Sequence, residues 1–227
     1  ATAHTDSGVR ALSLEAIGTC VQNTEKLQEQ ALGVGVLPVL VMLIQDNSLA
    51  DKEKEKAIFA LGSLIRSFPP AYAPFVAAAG FKCLSAVLDG GCTNASRKAL
   101  FLLRHLCYAE ASETASAETV AESCLQSGLV PKLMSRQLLL HDDFQVREFT
   151  RLLLVRLVEQ PAVKAVAAES ALVAVLKEQK GALDNRVVSL VQEKLERRTD
   201  ADGDENTDDI ENVEEELAAV GSLLAAL

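Results

Sequence analysis

Ala57-Ile58-Phe59-Ala60-Leu61-Gly62-Ser63-Leu64-Ile65 is a stretch of small and aliphatic residues that the chain repeats. Ser13-Leu14-Glu15-Ala16-Ile17-Gly18-Thr19-Cys20-Val21 precedes it with the same pattern. Ala99-Leu100-Phe101-Leu102-Leu103-Arg104-His105-Leu106-Cys107 and Thr150-Arg151-Leu152-Leu153-Leu154-Val155-Arg156-Leu157-Val158 follow it, so the four copies start 44, 42 and 51 residues apart. Between them runs a second landmark, a Gly followed by apolar residues: Gly35-Val36-Leu37-Pro38-Val39-Leu40, Gly80-Phe81-Lys82-Cys83-Leu84 and Gly128-Leu129-Val130-Pro131-Lys132-Leu133. A fourth version, Ser170-Ala171-Leu172-Val173-Ala174-Val175-Leu176, has Ser where the others have Gly.

Each unit reads as helix, glycine-containing break, helix, with a polar turn before the next copy. The spacing matches the roughly 40–47 residues of armadillo or HEAT repeats. Gly at the break permits a sharp turn, and Pro38 and Pro131 suit the first turn of the helix that follows. One such helix pair cannot bury its apolar faces alone, so the copies are expected to stack. The fold predicted is all-α, a right-handed α-solenoid of about four armadillo-like repeats over residues 1–198, closed by a packing helix Asp184–Arg198 beyond Gly181. Residues 199–227 are expected to be an acidic linker and a short amphipathic helix, with Val213, Leu217, Val220, Leu224 and Leu227 on its apolar face. Glu110 to Glu122 lengthens the third copy as a loop or a helix extension.

Composition agrees. The 227 residues are 49% apolar but only 4% aromatic, with no Trp and 6 Pro, and the dominance of Ala, Leu and Val favours helices over strands. The net charge of −10 argues against non-specific binding to nucleic acid or anionic membranes. All of that charge sits in the tail, because residues 199–227 hold ten acidic and no basic side chains. The longest uncharged run, Gln30 to Gln45, contains two Gly and a Pro and falls short of the ~20 apolar residues of a membrane span. The first ten residues show no charged segment leading into an apolar one, so no secretory signal is expected. The five cysteines (Cys20, Cys83, Cys92, Cys107, Cys124) include no C-x-x-C pair. Four lie in apolar helical contexts and read as buried free thiols of a reducing compartment.

Signals for chemistry are weak. His4, His105, His141 and the scattered cysteines give no zinc spacing, and Gly33-x-Gly35 lacks the rest of a dinucleotide fingerprint. In the tail, acids at Asp200, Asp202, Asp204, Asp208 and Glu211 imitate a calcium loop. Glu205 stands where that loop needs Gly, so a solvated acidic linker is the better reading. No enzyme, metal or cofactor is expected; a binding surface is. In an armadillo-type stack the last helix of each repeat lines the concave face, and the residues pointing into it recur at i, i+4 and i+7. Here they are Glu15, Thr19 and Gln22; Phe59, Ser63 and Arg66; Phe101, His105 and Tyr108; Leu152, Arg156 and Glu159. Leu14, Ile17, Ile58, Leu61, Leu103 and Leu154 fall in the core. Phe59 and Phe101 read either as core aromatics or as exposed anchors at one repeat register. His105 alone reads as a solvated or packed residue, and Arg66 as a helix-end charge or a partner contact.

Ile17-Gly18-Thr19-Cys20-Val21-Gln22-Asn23, Gln28-Glu29-Gln30, Leu32-Gly33-x-Gly35, Lys56-Ala57-Ile58-Phe59-Ala60-Leu61-x-Ser63-Leu64-Ile65-Arg66, Gly80-Phe81 and Lys98-Ala99-Leu100-Phe101-Leu102-Leu103 resemble the Hsp-binding-protein/Fes/Sil family of armadillo exchange factors over roughly residues 8–160. Family members carry a further repeat upstream of the matching helix. The resemblance implies a nucleotide exchange factor that wraps its concave face around the nucleotide-binding domain of a heat-shock protein 70 (DnaK-type) chaperone and promotes ADP release. Charge and hydropathy leave out nucleic acid and membrane as partners, a monomer is expected, and the family's branches point to the cytosol or, alternatively, the endoplasmic-reticulum lumen. The competing expectation is an armadillo scaffold gripping an extended peptide. Such grooves carry ladders of Trp and Asn, and the corresponding positions here hold Thr19, Ser63, His105 and Arg156.

Overall fold

The structure is a computed structural model that describes residues 6–108, 117–197 and 207–227. Every regular element among them is helical: α1 (Ser7–Val21), α2 (Glu25–Gly33), α3 (Val36–Gln45), α4 (Asp51–Ile65), α5 (Tyr72–Ala77, after a 3-10 turn Pro69–Ala71), α6 (Gly80–Asp89), α7 (Thr93–Tyr108), α8 (Ala117–Gln126), α9 (Leu129–Leu133), α10 (Arg136–Leu139), α11 (Phe144–Leu157), α12 (Pro161–Glu169), α13 (Leu172–Arg197) and α14 (Thr207–Ala226). The chain divides into two compact units, Ala1–Lys132 and Leu133–Leu227, with the boundary inside α9.

In the first unit α4 packs between α1 and α7, while α3 and α6 pack beside α4 and α7. The recurring stretches therefore form one row of helices and the Gly-led stretches another. Their apolar positions fill the space between: Leu14, Ile58, Leu61, Leu64, Leu100 and Leu103 are all buried, each contributing of the order of 1.5–3 kcal/mol of transfer free energy. Of the residues assigned to the core, Ile17 alone is only partly buried.

The repeat has three helices rather than two. A short helix, α2, α5 or α8, precedes each glycine-containing break. The break itself is built in two ways. Gly35 and Gly128 take left-handed φ values of 75° and 73° with open space around a would-be Cβ. In the middle repeat Ala79 carries the left-handed turn (φ 57°), and Gly80 is small for a different reason: a Cβ there would stand 2.0 Å from the Phe75 ring.

Side-chain donors join successive repeats through helix carbonyls. Gln28 of α2, itself buried, donates from Nε2 to the carbonyls of Ser63 (3.0 Å), Leu64 (3.3 Å) and Arg66 (3.2 Å). Cys83 of α6 reaches the Val41 carbonyl of α3, and Lys132 of α9 donates to the Ser85 carbonyl of α6 at 2.7 Å. The Gln28 bonds satisfy the Ser63 and Leu64 carbonyls at the end of α4, which have no partner within their own helix.

The second unit departs from expectation at two places. Where a break at Gly181 and a new helix from Asp184 were predicted, α13 runs unbroken for 26 residues. A single exposed Gly costs about 1 kcal/mol in a helix but does not end one, and Gly181 lacks the left-handed φ with which a glycine terminates a helix. The C-terminal helix is longer than the predicted apolar stripe: α14 has 20 residues and packs along α13 and against α11. Its buried face is Glu216, Val220 and Leu223, whereas Val213, Leu217 and Leu224 are half-buried. Glu216 was expected in solvent. It is instead 5% exposed and takes Arg147 Nε at 2.7 Å and Arg151 Nη1 at 2.6 Å, Arg151 being buried as well. The predicted acidic linker and most of the calcium-loop imitation lie outside the described residues.

One cysteine expectation also changes. Cys83, Cys107 and Cys124 are buried free thiols, whereas Cys20 is exposed on α1, the first helix of the row.

Candidate functional site

The last turn of α4 and the last two turns of α7 meet at a corner built from Arg66, Ser67 and Phe68. Arg66 ends α4 and leaves it with an extended backbone (ψ 132°). Ser67 then takes a left-handed φ of 58°, and Phe68 turns into the core, 4% exposed. Two elements hold this corner. From α2, Gln28 binds the Arg66 carbonyl. From α7, the imidazole of His105 accepts the Ser67 N–H at Nε2, 3.2 Å.

The Arg66 side chain folds back, donating from Nε to the Gly62 carbonyl at 3.2 Å, and its guanidinium carbon lies 5.2 Å from the centre of the Phe101 ring. That distance is within the range of a cation–π contact. Partial burial holds the Arg66 pKa below the usual arginine value, and it lowers that of His105 too, with the Arg66 charge adding to the effect. Phe101 remains 40% exposed and Tyr108 47%. Together Phe101, Arg104, His105 and Tyr108 line an open concavity of about 310 Å³.

Along the rest of the α1–α4–α7 surface the side chains pair across helices. Lys56 of α4 reaches Glu15 of α1 at 2.7 Å, and Lys98 of α7 reaches Glu55 of α4 at 3.3 Å. The Lys56 hydrogen bond holds the Glu15 carboxyl below its ordinary pKa. Thr19 and Gln22 stand exposed on the last turns of α1.

The predicted groove residues thus separate. Phe101, His105 and Tyr108 line one concavity, Arg66 stacks on its Phe101, and Glu15, Thr19 and Gln22 share the surface beside it. Phe59 lies between: half-buried, its ring fills the space over Gly18, where a Cβ would meet it at 2.6 Å. Ser63 does not reach the surface. It is 1% exposed, because α4 is flanked on both sides and its i+4 position from Phe59 turns inward. Leu152, Arg156 and Glu159 belong to the second unit, where Arg156 pairs with Glu159. The pattern overlooked Arg104, which lines the concavity with its guanidinium carbon 5.9 Å from the centre of the Tyr108 ring. Its place three residues after Phe101 was the available signal. Gln28 was overlooked as well, since nothing local to a Gln marks it as a cap for a distant helix. Among the described residues no three His, Cys, Asp or Glu side chains cluster as a metal site, and no single helix is long and apolar enough to cross a membrane. What the surface offers is recognition: flat aromatic area, guanidinium groups and a half-buried imidazole.

Residues 1–135 match the family described as the SIL1/FES1/HPBP1 C-terminal domain. The chain belongs to this family. Its similarity to Hsp70-binding protein 1 of Homo sapiens is 34% identity over 100 residues, 44% of this chain and 28% of that protein. To the Hsp70 nucleotide exchange factor FES1 of Gibberella zeae it is 38% over 68 residues, 30% of this chain and 32% of that one. The matched stretches thus span less than a third of either relative's own length. Among solved structures, a designed armadillo repeat protein superposes with a TM-score of 0.65 over 99% of this chain and 96% of its own, at 13% identity. That likeness shows the fold, an α-solenoid of armadillo-like repeats. The family match ends at residue 135, close to the end of the unit that carries the α1–α4–α7 surface.

Proposed function

We propose that the chain is a nucleotide exchange factor for a heat-shock protein 70 chaperone, and that the α1–α4–α7 surface grips the chaperone's nucleotide-binding domain. The observation that carries this reading is the coincidence of the family match, residues 1–135, with the compact unit Ala1–Lys132 that bears the surface. Glu15, Thr19, Gln22, Phe59, Arg66, Phe101 and His105 are the proposed contacts of that unit, with Phe101 and Arg66 at the centre. Desolvated aromatic and Arg contacts usually carry most of an interface. Ser63 acts from beneath, through packing, and Arg156 is an outlying contact on the second unit.

The mechanism needs no bond-making. A protein that binds the open nucleotide-binding domain more tightly than the closed, ADP-holding one shifts the population toward open, and ADP leaves. The chain works as a monomer and not as an enzyme, without nucleic acid or membrane, in the cytosol; an acidic net charge and five free cysteines support that placement. Calorimetric titration of the isolated nucleotide-binding domain into the protein tests the reading. Wild type should bind, and Phe101→Ala should weaken binding at least fivefold while leaving the melting temperature within about 2 °C, since Phe101 is a surface residue. Failure of the wild type to bind contradicts the partner; capture of an extended peptide instead would favour the scaffold reading.

A further inference from the structure

We infer that His105 is a proton-operated latch on the α4 corner: neutral, its Nε2 holds the Ser67 amide; protonated, it lets that amide go. The geometry supplies the reasons. Ser67 N–H donates to His105 Nε2 at 3.2 Å, across 38 residues of chain and from one helix of the row to the next. An acceptor Nε2 requires the neutral ring with its proton on Nδ1. Protonation puts N–H against N–H, and the bond cannot form.

The held residue is one that needs holding. Ser67 has a left-handed φ of 58°, unfavourable for a residue with a Cβ. Its neighbour Arg66 carries the guanidinium stacked on Phe101. The charges around the ring oppose protonation. Arg66, from the end of α4, is the charged side chain acting on it among the described residues, and no carboxylate of α4, α6, α7 or the described part of α8 does so. Arg104 and Tyr108 flank it along α7 around the same concavity. Burial and Arg66 both place its titration below the ordinary histidine range. The second clamp on the corner, Gln28 on the Arg66 carbonyl, does not titrate, so acidification frees the Ser67 amide without unfolding α4, and the new imidazolium charge repels the guanidinium that Arg66 holds against Phe101.

The sign follows. A histidine whose pKa is depressed by folding adds stability that is complete above its unfolded value, near 6.5. That stability is lost as pH falls through the lower folded value. The latch is therefore closed at neutral pH and opens on acidification. Resting on the exchange-factor reading, the same step weakens the grip on the chaperone, because it mobilises the Arg66–Phe101 contact.

Two measurements on the full chain test this. By NMR with labelled histidine and backbone, the His105 ring should titrate below an unstructured-peptide histidine, and the Ser67 amide should shift with the same midpoint. His105→Gln, whose amide oxygen can accept the same N–H without titrating, should leave the Ser67 amide flat across that range. A Ser67 amide that ignores the His105 titration, or responds identically in His105→Gln, overturns the latch. In the second measurement the nucleotide-binding domain is titrated at pH 7.5 and below the His105 midpoint. Wild type should lose roughly fivefold in affinity, about the worth of one net hydrogen bond, and His105→Gln should not. If the chaperone does not bind at pH 7.5 the function reading falls, while the NMR result still decides the latch. Equal affinity at both pH values alongside co-titrating amides overturns its role in the site.

Discussion

Gly35 and Gly80 look interchangeable in the aligned repeats, yet they are glycine for different reasons, and substitution separates them. Gly35 needs its left-handed φ of 75° and has open space, so Gly35→Asn should cost less than about 1 kcal/mol, Asn being tolerant of that region. Gly80 needs the absence of a Cβ beside Phe75, so Gly80→Ala should cost about 1–3 kcal/mol through forced repacking. Urea denaturation of the two variants checks the order. Gln28→Leu should cost a similar 1–3 kcal/mol, because it strips a buried donor from three carbonyls. At this scale the sequence was legible in part. The i, i+4, i+7 rule found Arg66, Phe101, His105 and Tyr108. It misplaced Ser63 because one helical register cannot say how far the neighbouring helices wrap around α4. Phe59 and Phe101 share a register and differ in exposure because Gly18 opens a pocket for one of them, and that depends on a residue 41 positions away.

The helices that the sequence showed best are those with long apolar stripes, α4, α7 and α11. It missed α2, α5 and α8 as separate elements; α5 has 6 residues and α2 has 9, too short for the helical period to stand out from a turn. The tail was read by charge, and charge misled. Ten acids and no bases suggest a solvated strand of chain, but α14 puts one of those acids, Glu216, between Arg147 and Arg151. Burial pushes the Glu216 pKa up, yet the Arg147 hydrogen bond and the two arginine charges outweigh it and hold the carboxyl below its ordinary value. Its contribution is therefore complete above the unfolded carboxylate range and is lost as pH falls through the lower folded value. Glu216→Gln should cost about 3–5 kcal/mol, since it leaves the buried Arg151 cation uncompensated. Thermal unfolding at pH 7 and at a pH below the folded Glu216 midpoint should show a wide gap between variant and wild type at the first and a narrow one at the second. An equal gap at both would contradict the ion-pair account. Deletion after Arg198 removes the same partner and uncovers the α13 face. It should lower the melting temperature yet leave chaperone binding largely intact, because the proposed contacts at the centre lie in the first unit.

For the whole molecule, the repeat was the most legible feature, because stacking imposes the same apolar positions every 42–51 residues. What no period reveals is that the chain divides after Lys132, since the fourth copy continues the pattern into the second unit. Function at this scale is a coupling between two binding events. If the protein weakens ADP binding a thousandfold, it must discriminate open from closed chaperone by roughly 4 kcal/mol. ADP must then weaken its grip on the chaperone by the same factor. That energy is assigned to the surface centred on Arg66 and Phe101. The direct measurement is the release rate of a fluorescent ADP analogue from the chaperone's nucleotide-binding domain. It is taken alone, with wild type, and with Arg66→Glu plus Phe101→Glu, whose folding is verified by circular dichroism. Wild type should accelerate release by at least tenfold and the double variant should not. An unchanged rate with wild type contradicts the exchange-factor account, and a folded, fully active double variant contradicts the assignment of its energy to this groove.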